Sequence, residues 1–243
     1  MQLLGALLGG SFVLASLVVG TRLVWLSRET RKSPELLVGA GLLLLSVLGY
    51  PLMTVARKAV ALGEPTRAGV AIAAALCLAV GGFLMVLFVR KVFRTEARWA
   101  SWLTASYAGL ATAVFVSQSA GPGWWAWVSE QQGSWAAARW LFLVPIGWGG
   151  VESLRYWALL RRRLALGLAD PVVVDRFRLF GIAMGAGLVA NAATVVCQIL
   201  GIEIVGTAVG TVAVSPALVA AVALWLAFLP PRAYLARVQR IQA

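Results

Sequence analysis

The chain contains no histidine, only nine acidic residues and only two cysteines among 243 residues. Without histidine there is no usual haem ligand, no usual zinc site and no histidine for general acid–base catalysis. We therefore expect neither a b-type cytochrome nor a histidine–zinc intramembrane hydrolase, and we predict no metal and no cofactor. Cys77 and Cys197 both lie in apolar blocks, where cysteine behaves as a small hydrophobe, so we predict no disulfide.

Charged residues are also scarce, at 12% of the chain, whereas 61% of the residues are apolar. Soluble domains usually carry about 25% charged residues, and half that number is too few to cover a surface facing water. The apolar residues come in blocks of about twenty, the length needed to cross the ~30 Å hydrocarbon core of a bilayer. The composition therefore predicts a multi-pass integral membrane protein whose first partner is the lipid bilayer.

Seven apolar blocks follow one another with short connections. They run over residues 3–25, 36–56, 68–89, 99–120, 136–157, 179–200 and 204–229. The first block lacks the basic flank of a signal peptide, so we predict that it is retained as a helix. We therefore predict an all-α seven-helix transmembrane bundle over residues 1–229. Residues 230–243 mix apolar residues with arginines, which predicts an amphipathic cytoplasmic tail.

The basic residues indicate the orientation. All but four of the 21 Lys and Arg residues fall on one set of connections, and the four exceptions are Arg57, Lys58, Arg67 and Arg139. Basic residues collect on the cytoplasmic side, so we predict an outside N-terminus and a cytoplasmic C-terminus in a plasma membrane, such as a bacterial inner membrane. The net charge of +12 is then a topology signal, and we predict no nucleic-acid partner.

Polar residues inside apolar blocks are costly in a bilayer, so they are candidates for a site. Asn191, Thr194 and Gln198 share one face of the sixth block, and Thr207, Thr211 and Ser215 share one face of the seventh. This pattern predicts a polar seam between the two helices. The seam either joins the helices through hydrogen bonds or lines a small polar cavity open to the outside.

Glu152 is the one acid well inside an apolar block, and Arg155 follows it by three residues. At this spacing the two can form an intrahelical ion pair near the inner interface. The other interpretation is an ion carrier or a switch contact to a neighbouring helix. We predict a switch or ion pair formed by Glu152 and Arg155.

Tryptophans crowd the predicted outer end of the fifth block and the loop before it; they are Trp124, Trp125, Trp127, Trp135 and Trp140. They form either an aromatic belt at the headgroups or a loop that folds over the mouth of the bundle. Arg57 and Arg139, on the same side, are either interface anchors or cations for an anionic ligand group. Together these patterns predict a ligand site lined by Tyr50, Arg57, Gln118, Trp125, Arg139, Trp140, Asn191, Gln198 and Thr211.

The segment from Trp225 to Leu235 reads Trp-Leu-Ala-Phe-Leu-Pro-Pro-Arg-Ala-Tyr-Leu. It resembles the last-helix exit of bacterial seven-transmembrane receptor-like membrane proteins, some of which sit ahead of sensor kinases and similar output domains. The resemblance implies a sensor with a membrane or cytoplasmic signalling partner. In that family the chain continues into an output domain, whereas this sequence stops at Ala243, which leads us to expect a stand-alone sensor or accessory subunit.

Other seven-helix classes fit less well or remain open. Microbial rhodopsins need a lysine in the last helix, and the lysines here are Lys32, Lys58 and Lys91. The helix motifs of G-protein-coupled receptors are not visible. The apolar blocks carry no paired acids and no nucleophile–base set, so we expect no enzyme. Our leading expectation is a receptor or sensor for a small or lipidic outside ligand. A small-solute transporter of the three-plus-one-plus-three kind is the alternative.

Overall fold

The computed structural model describes residues 2–58, 63–119, 133–202 and 207–240, which are mostly helical and contain no strand. Side chains are described in these ranges except at 2–6, 57–58, 119, 133–139, 198 and 240. The α-helices are α1 (Gln2–Thr30), α2 (Ser33–Leu42), α3 (Tyr50–Lys58), α4 (Glu64–Phe93), α5 (Arg98–Ser119), α6 (Gly133–Leu164), α7 (Pro171–Ile199), α8 (Ala208–Val214), α9 (Pro216–Phe228) and α10 (Arg232–Arg240). A π-helical segment, Leu43–Gly49, joins α2 to α3.

Five helical segments of the described residues are long and apolar enough to cross a membrane. They are Leu7–Thr30, Ser33–Ala56, Glu64–Phe93, Pro171–Cys197 and Ala208–Phe228. Helices α5, with 22 residues, and α6, with 32 residues, are long but are not among these five. Serines and threonines dilute the apolar residues of α5, and α6 contains Glu152 and Arg155. In the part of the chain that the structure describes, the protein is therefore an all-α membrane protein with five candidate spans.

The contacts divide the chain into two compact units. The N-terminal unit contains residues 16–145, which include the second half of α1, α2 to α5 and the start of α6. The C-terminal unit contains residues 1–15 and 146–243, which include the first half of α1, the rest of α6 and α7 to α10. One division between the units falls directly after Pro145, inside α6.

Glycines allow the helices of the N-terminal unit to approach closely. A methyl group added at Gly39 of α2 would lie 2.8 Å from the backbone oxygen of Gly20 in α1. One added at Gly81 of α4 would lie 2.8 Å from a side-chain carbon of Leu45. Small residues at such crossings permit tight van der Waals packing, which is the main attraction between helices in lipid.

The π-helical segment lies just before Pro51. Proline has no backbone N–H, and its ring clashes with the carbonyl four residues earlier, so a regular α-helix cannot run through it undisturbed. In the wider π turns, the Tyr50 N–H bonds to the Leu45 oxygen, five residues back. Such single wide turns inside α-helices are frequent at functional sites.

Helices α7 and α9 pack along each other in the C-terminal unit. The buried residues of α9 are mostly alanines, and Leu224 is almost completely enclosed. The rings of Phe180 and Phe228 meet edge to face with centroids 5.9 Å apart. A methyl group added at Gly181 of α7 would lie 2.6 Å from a side-chain carbon of Leu154 in α6. Small side chains therefore permit close packing in this unit too.

Two helix boundaries differ from the sequence prediction. Helices α6 and α7 extend into the predicted inner loop, leaving only 165–170 between them. Asp170 explains where α7 begins, because its carboxylate accepts a hydrogen bond from the Val172 N–H at 2.8 Å and Pro171 occupies the first turn. The predicted seventh helix is interrupted at Ser215, where Pro216 cannot donate to the Val212 carbonyl and the Ser215 hydroxyl donates to it instead, at 2.8 Å.

Candidate functional site

The N-terminal unit contains a cavity between α3, α4, α5 and the first turns of α6. The volume within which the centre of a water molecule can lie is about 40 Å³. At ~10–15 Å³ of such volume per water, the cavity has room for roughly three waters. Its lining residues are Met53, Ala75, Leu78, Ala79, Tyr107, Ala111, Val114, Phe115, Gln118, Leu141 and Phe142. The cavity lies in the half of the unit where α3 and α5 end and α4 begins. Arg67 of α4 ties this end together, because its Nε donates to the Ala56 oxygen of α3 at 3.2 Å.

The lining on α5 is one helical stripe. Tyr107, Ala111, Val114, Phe115 and Gln118 recur at the three- and four-residue spacing that places side chains on a single face. Tyr107 and Gln118 are the polar members, and they are separated by about three turns, or ~16 Å of helix. The cavity is therefore an apolar slot with one polar group toward each end.

Gln118 is the most informative residue of the lining. It is only 3% exposed, although it lies at the last turn of α5. Its side chain lines the cavity, and an amide can both donate and accept hydrogen bonds. Gln118 is therefore the residue at this end of the cavity that offers hydrogen-bonding groups to a bound molecule.

Tyr107 is positioned by Gly82. The Tyr107 hydroxyl lies so close to the Gly82 backbone that a methyl group added at Gly82 would overlap with it. The next nearest atom, Cζ of the same ring, would lie 3.3 Å from that methyl group. Tyr107 is 4% exposed, so the absence of a side chain at Gly82 leaves room for a large ring at the end of the slot opposite Gln118. Nothing in the sequence pattern of α4 singled out this glycine.

Among the predicted ligand-binding residues, Gln118 lines the cavity. Tyr50 lies beside it, with its ring 6.3 Å from that of the lining residue Phe142, and is 42% exposed. Trp140 is 51% exposed. The side chains of Arg57 and Arg139, and all of Trp125, lie outside the described residues, so their predicted roles stay predictions.

The other predicted lining residues belong to the C-terminal unit. Asn191 donates from Nδ2 to the Gly187 oxygen at 2.8 Å, and Thr211 donates to the Thr207 oxygen at 3.0 Å. Both bonds stay within a single helix, the local pattern that Asn and Thr side chains often adopt. The side chain of Gln198 lies outside the described residues. The predicted lining therefore divides between two units.

Glu152 and Arg155 of α6 lie in different surroundings. Glu152 is 6% exposed, whereas Arg155 is exposed. The neighbouring Ser153 is fully buried, and its hydroxyl has no hydrogen-bond partner in the described part of the chain. The predicted switch or ion pair of Glu152 and Arg155 stays a prediction.

A second polar cluster fixes the tail helix α10 to α7. The Tyr234 hydroxyl donates to Asp175 Oδ2 at 2.5 Å, and Asp175 also pairs with Arg178 at 2.6 Å. Arg176 donates from Nε to the Ala227 oxygen at 3.1 Å, which satisfies a carbonyl at the end of α9. Burial, followed by the bond to Asp175, raises the pKa of Tyr234. The amphipathic pattern of the tail did not reveal this attachment.

No protein-family model, curated protein or solved structure matches the chain. The functional argument therefore depends on the site itself.

Proposed function

We propose that the protein is a non-enzymatic, receptor-like plasma-membrane protein that binds a small ligand from the outer side, in the cavity of the N-terminal unit. The observation that supports this most directly is the buried residue Gln118, whose side chain lines an otherwise largely apolar cavity. Binding sites usually combine an apolar lining with a few well-placed polar groups. The cavity between α3, α4, α5 and α6 has this composition.

Access from the outside follows if the chain crosses the membrane seven times. Helices α5 and α6 occupy the fourth and fifth apolar blocks, and the 22 residues of α5 extend ~33 Å, enough for one crossing. Seven crossings put the basic connections in the cytoplasm and the N-terminus outside. The ends of α3 and α5, and with them the Gln118 end of the cavity, then lie at the outer face.

The route to a signalling partner is proposed to pass through the inner connections and the tail. Helix α10 is tied to α7 by the bond from Tyr234 to Asp175, so a displacement of α7 is transmitted to the tail. The exposed arginines Arg232 and Arg237 on α10 give a partner a basic surface to recognise.

The test is thermal unfolding of the protein in lipid nanodiscs against a panel of small alcohols, lipids, sugars, amino acids and anionic metabolites. A ligand at a hundredfold excess over its dissociation constant stabilises the folded state by ~2.7 kcal/mol. Ala111→Leu fills the cavity, and we expect it to abolish the shift. Ala113→Leu is the matched control, because Ala113 is exposed on the same helix and should leave the shift intact.

Two results would contradict the proposal. One is a panel without any stabilising compound. The other is a compound whose effect survives Ala111→Leu, since its site would then lie elsewhere.

A small-solute transporter is the second candidate, favoured by the two interrupted helices. The π-helical segment Leu43–Gly49 and the interruption at Ser215 are irregular backbone at membrane depth. Transporters use such discontinuous helices to bind substrates and to rock between states. Uptake of a stabilising compound into proteoliposomes would favour this candidate, whereas binding without flux favours the receptor.

A further inference from the structure

We infer that the ligand of the Gln118 cavity is a small, uncharged molecule that carries one hydrogen-bonding group on a compact apolar body. The inference rests on the proposed function and narrows it to a chemical class. It follows from the charge, the polar groups and the size of the cavity.

The cavity lining contains no charged side chain among the described residues. Ions held in an apolar environment without a paired charge are strongly disfavoured. Among the described lining residues, an ammonium, carboxylate or phosphate group placed here would face methyl groups, aromatic rings, one phenol and one amide. The ligand is therefore neutral at the part that enters the slot.

The amide of Gln118 determines the polar group of the ligand. An amide offers two N–H donors and a carbonyl acceptor, so a hydroxyl or a primary amide on the ligand can both donate to it and accept from it. Tyr107 lies about three turns away along α5, ~16 Å at 1.5 Å per residue. A small ligand bound to Gln118 does not reach Tyr107, so a single polar group is sufficient.

The size follows from the volume. The cavity has room for about three water molecules, and three waters occupy roughly 90 Å³ at ~30 Å³ each in the liquid. A cavity of this size admits a molecule of a few heavy atoms, such as a short-chain alcohol. Water itself fits the site less well, because a buried water typically makes about three hydrogen bonds to polar groups. The rest of the lining between Gln118 and Tyr107 is apolar.

The test is a titration of the full chain in lipid nanodiscs, followed by the ¹³C resonances of the methionine methyl groups. Met53 lines the cavity. Met85 packs at Gly41, and Met184 lies beside Gly150 in the C-terminal unit, so both are internal controls. The three probes are butanol, butyrate at pH 7 and pentane, which have similar size and differ in charge and polar group.

We expect butanol to shift the Met53 resonance saturably while the resonances of Met85 and Met184 stay unchanged. Butyrate should need a concentration at least about tenfold higher, and pentane should bind about tenfold more weakly than butanol, the factor that corresponds to one lost hydrogen bond. Gln118→Leu should remove the preference for butanol over pentane. Ala113→Leu should leave the preference in place.

Each contrary result has a distinct meaning. Butyrate binding as tightly as butanol overturns the uncharged class, and pentane binding as tightly overturns the role of Gln118; both leave the cavity as a ligand site. A third result is that no probe shifts the Met53 resonance, while a compound of the panel stabilises the protein and Ala111→Leu abolishes this stabilisation. The inferred chemical class of the ligand is then wrong, and the proposed function stands. If the Met53 resonance does not shift and Ala111→Leu abolishes the stabilisation by no compound of the panel, the inferred ligand class and the proposed function are both overturned.

Discussion

Substituting Gly82 should distort the cavity by displacing Tyr107. The methyl group of Gly82→Ala would overlap with the hydroxyl of the buried Tyr107, so the ring must shift from its place at the Gly82 backbone. Overpacking a tight interior by one methyl group typically costs ~1–3 kcal/mol. We expect Gly82→Ala to lower the free energy of unfolding by an amount in this range.

The structure also predicts a second substitution, Tyr107→Phe, that should relieve the loss of stability caused by Gly82→Ala. Tyr107→Phe removes the hydroxyl, and the next atom, Cζ, would lie 3.3 Å from the new methyl group. At that distance the ring of residue 107 needs to shift by only a few tenths of an ångström. In the background of Tyr107→Phe, Gly82→Ala should therefore cost little, and the double-mutant cycle should give a coupling of ~1–2 kcal/mol, typical of residues in contact.

Unfolding in mixed micelles, followed by circular dichroism, measures all four corners of the cycle. Gly69→Ala on α4 and Gly109→Ala on α5 are matched controls, because an added methyl group at either position meets nothing within 4 Å. These controls should be neutral or stabilising by up to ~1 kcal/mol through helix propensity. The reasoning is refuted if Gly82→Ala is as stable as the controls, or if Tyr107→Phe does not relieve it.

Two further predictions concern helix packing and the tail. Gly39→Ala should destabilise the protein far more than Gly10→Ala in the same unfolding assay. The methyl group added at Gly39 meets the Gly20 backbone oxygen at 2.8 Å, whereas one added at Gly10 meets nothing within 4 Å. Equal stabilities of the two variants would contradict this prediction. The second prediction concerns the tail, because burial and the bond to Asp175 raise the pKa of Tyr234. The stabilising effect of the protonated Tyr234 hydroxyl is complete below the ordinary tyrosine pKa of ~10, and it is lost as the pH rises through the raised pKa. The protection of α10 against proteases should therefore fall over that alkaline range. In the Tyr234→Phe variant, α10 should be less protected at neutral pH and should show no alkaline transition. If the variant has the same protection profile against pH as the unchanged protein, the attachment of α10 through Tyr234 is contradicted.

The helices themselves could be predicted from the sequence because hydropathy is a local property. Twenty apolar residues need a helix to satisfy their backbone groups in lipid, and Asp170-Pro171 carries its own start signal. The wide turns before Pro51 and the interruption at Pro216 were less predictable. Proline indicates that the backbone must deviate, but the neighbouring helices decide between a kink, a π turn and a break.

The cavity could be predicted only in part, because its lining depends on how each helix is rotated against its neighbours. Gln118 was a candidate because it is polar within an apolar block, whereas the roles of Tyr107 and Gly82 depend on a contact between two helices. The same limit applies to glycines spaced four residues apart, such as Gly181 and Gly185. A methyl group added at Gly181 would overlap with Leu154, whereas one added at Gly185 meets nothing within 4 Å.

The outer position of the Gln118 cavity depends on whether α5 and α6 cross the membrane, and a cysteine at position 131 tests this directly. Cys77→Ala and Cys197→Ala remove both native cysteines. In that background Gln131→Cys lies in the connection between α5 and α6, and Glu96→Cys lies in the connection between α4 and α5. With seven crossings and an outside N-terminus, a membrane-impermeant maleimide labels position 131 in intact cells and labels position 96 only after permeabilisation. Labelling of position 131 only after permeabilisation would contradict the account, since the Gln118 end of the cavity would then face the cytoplasm.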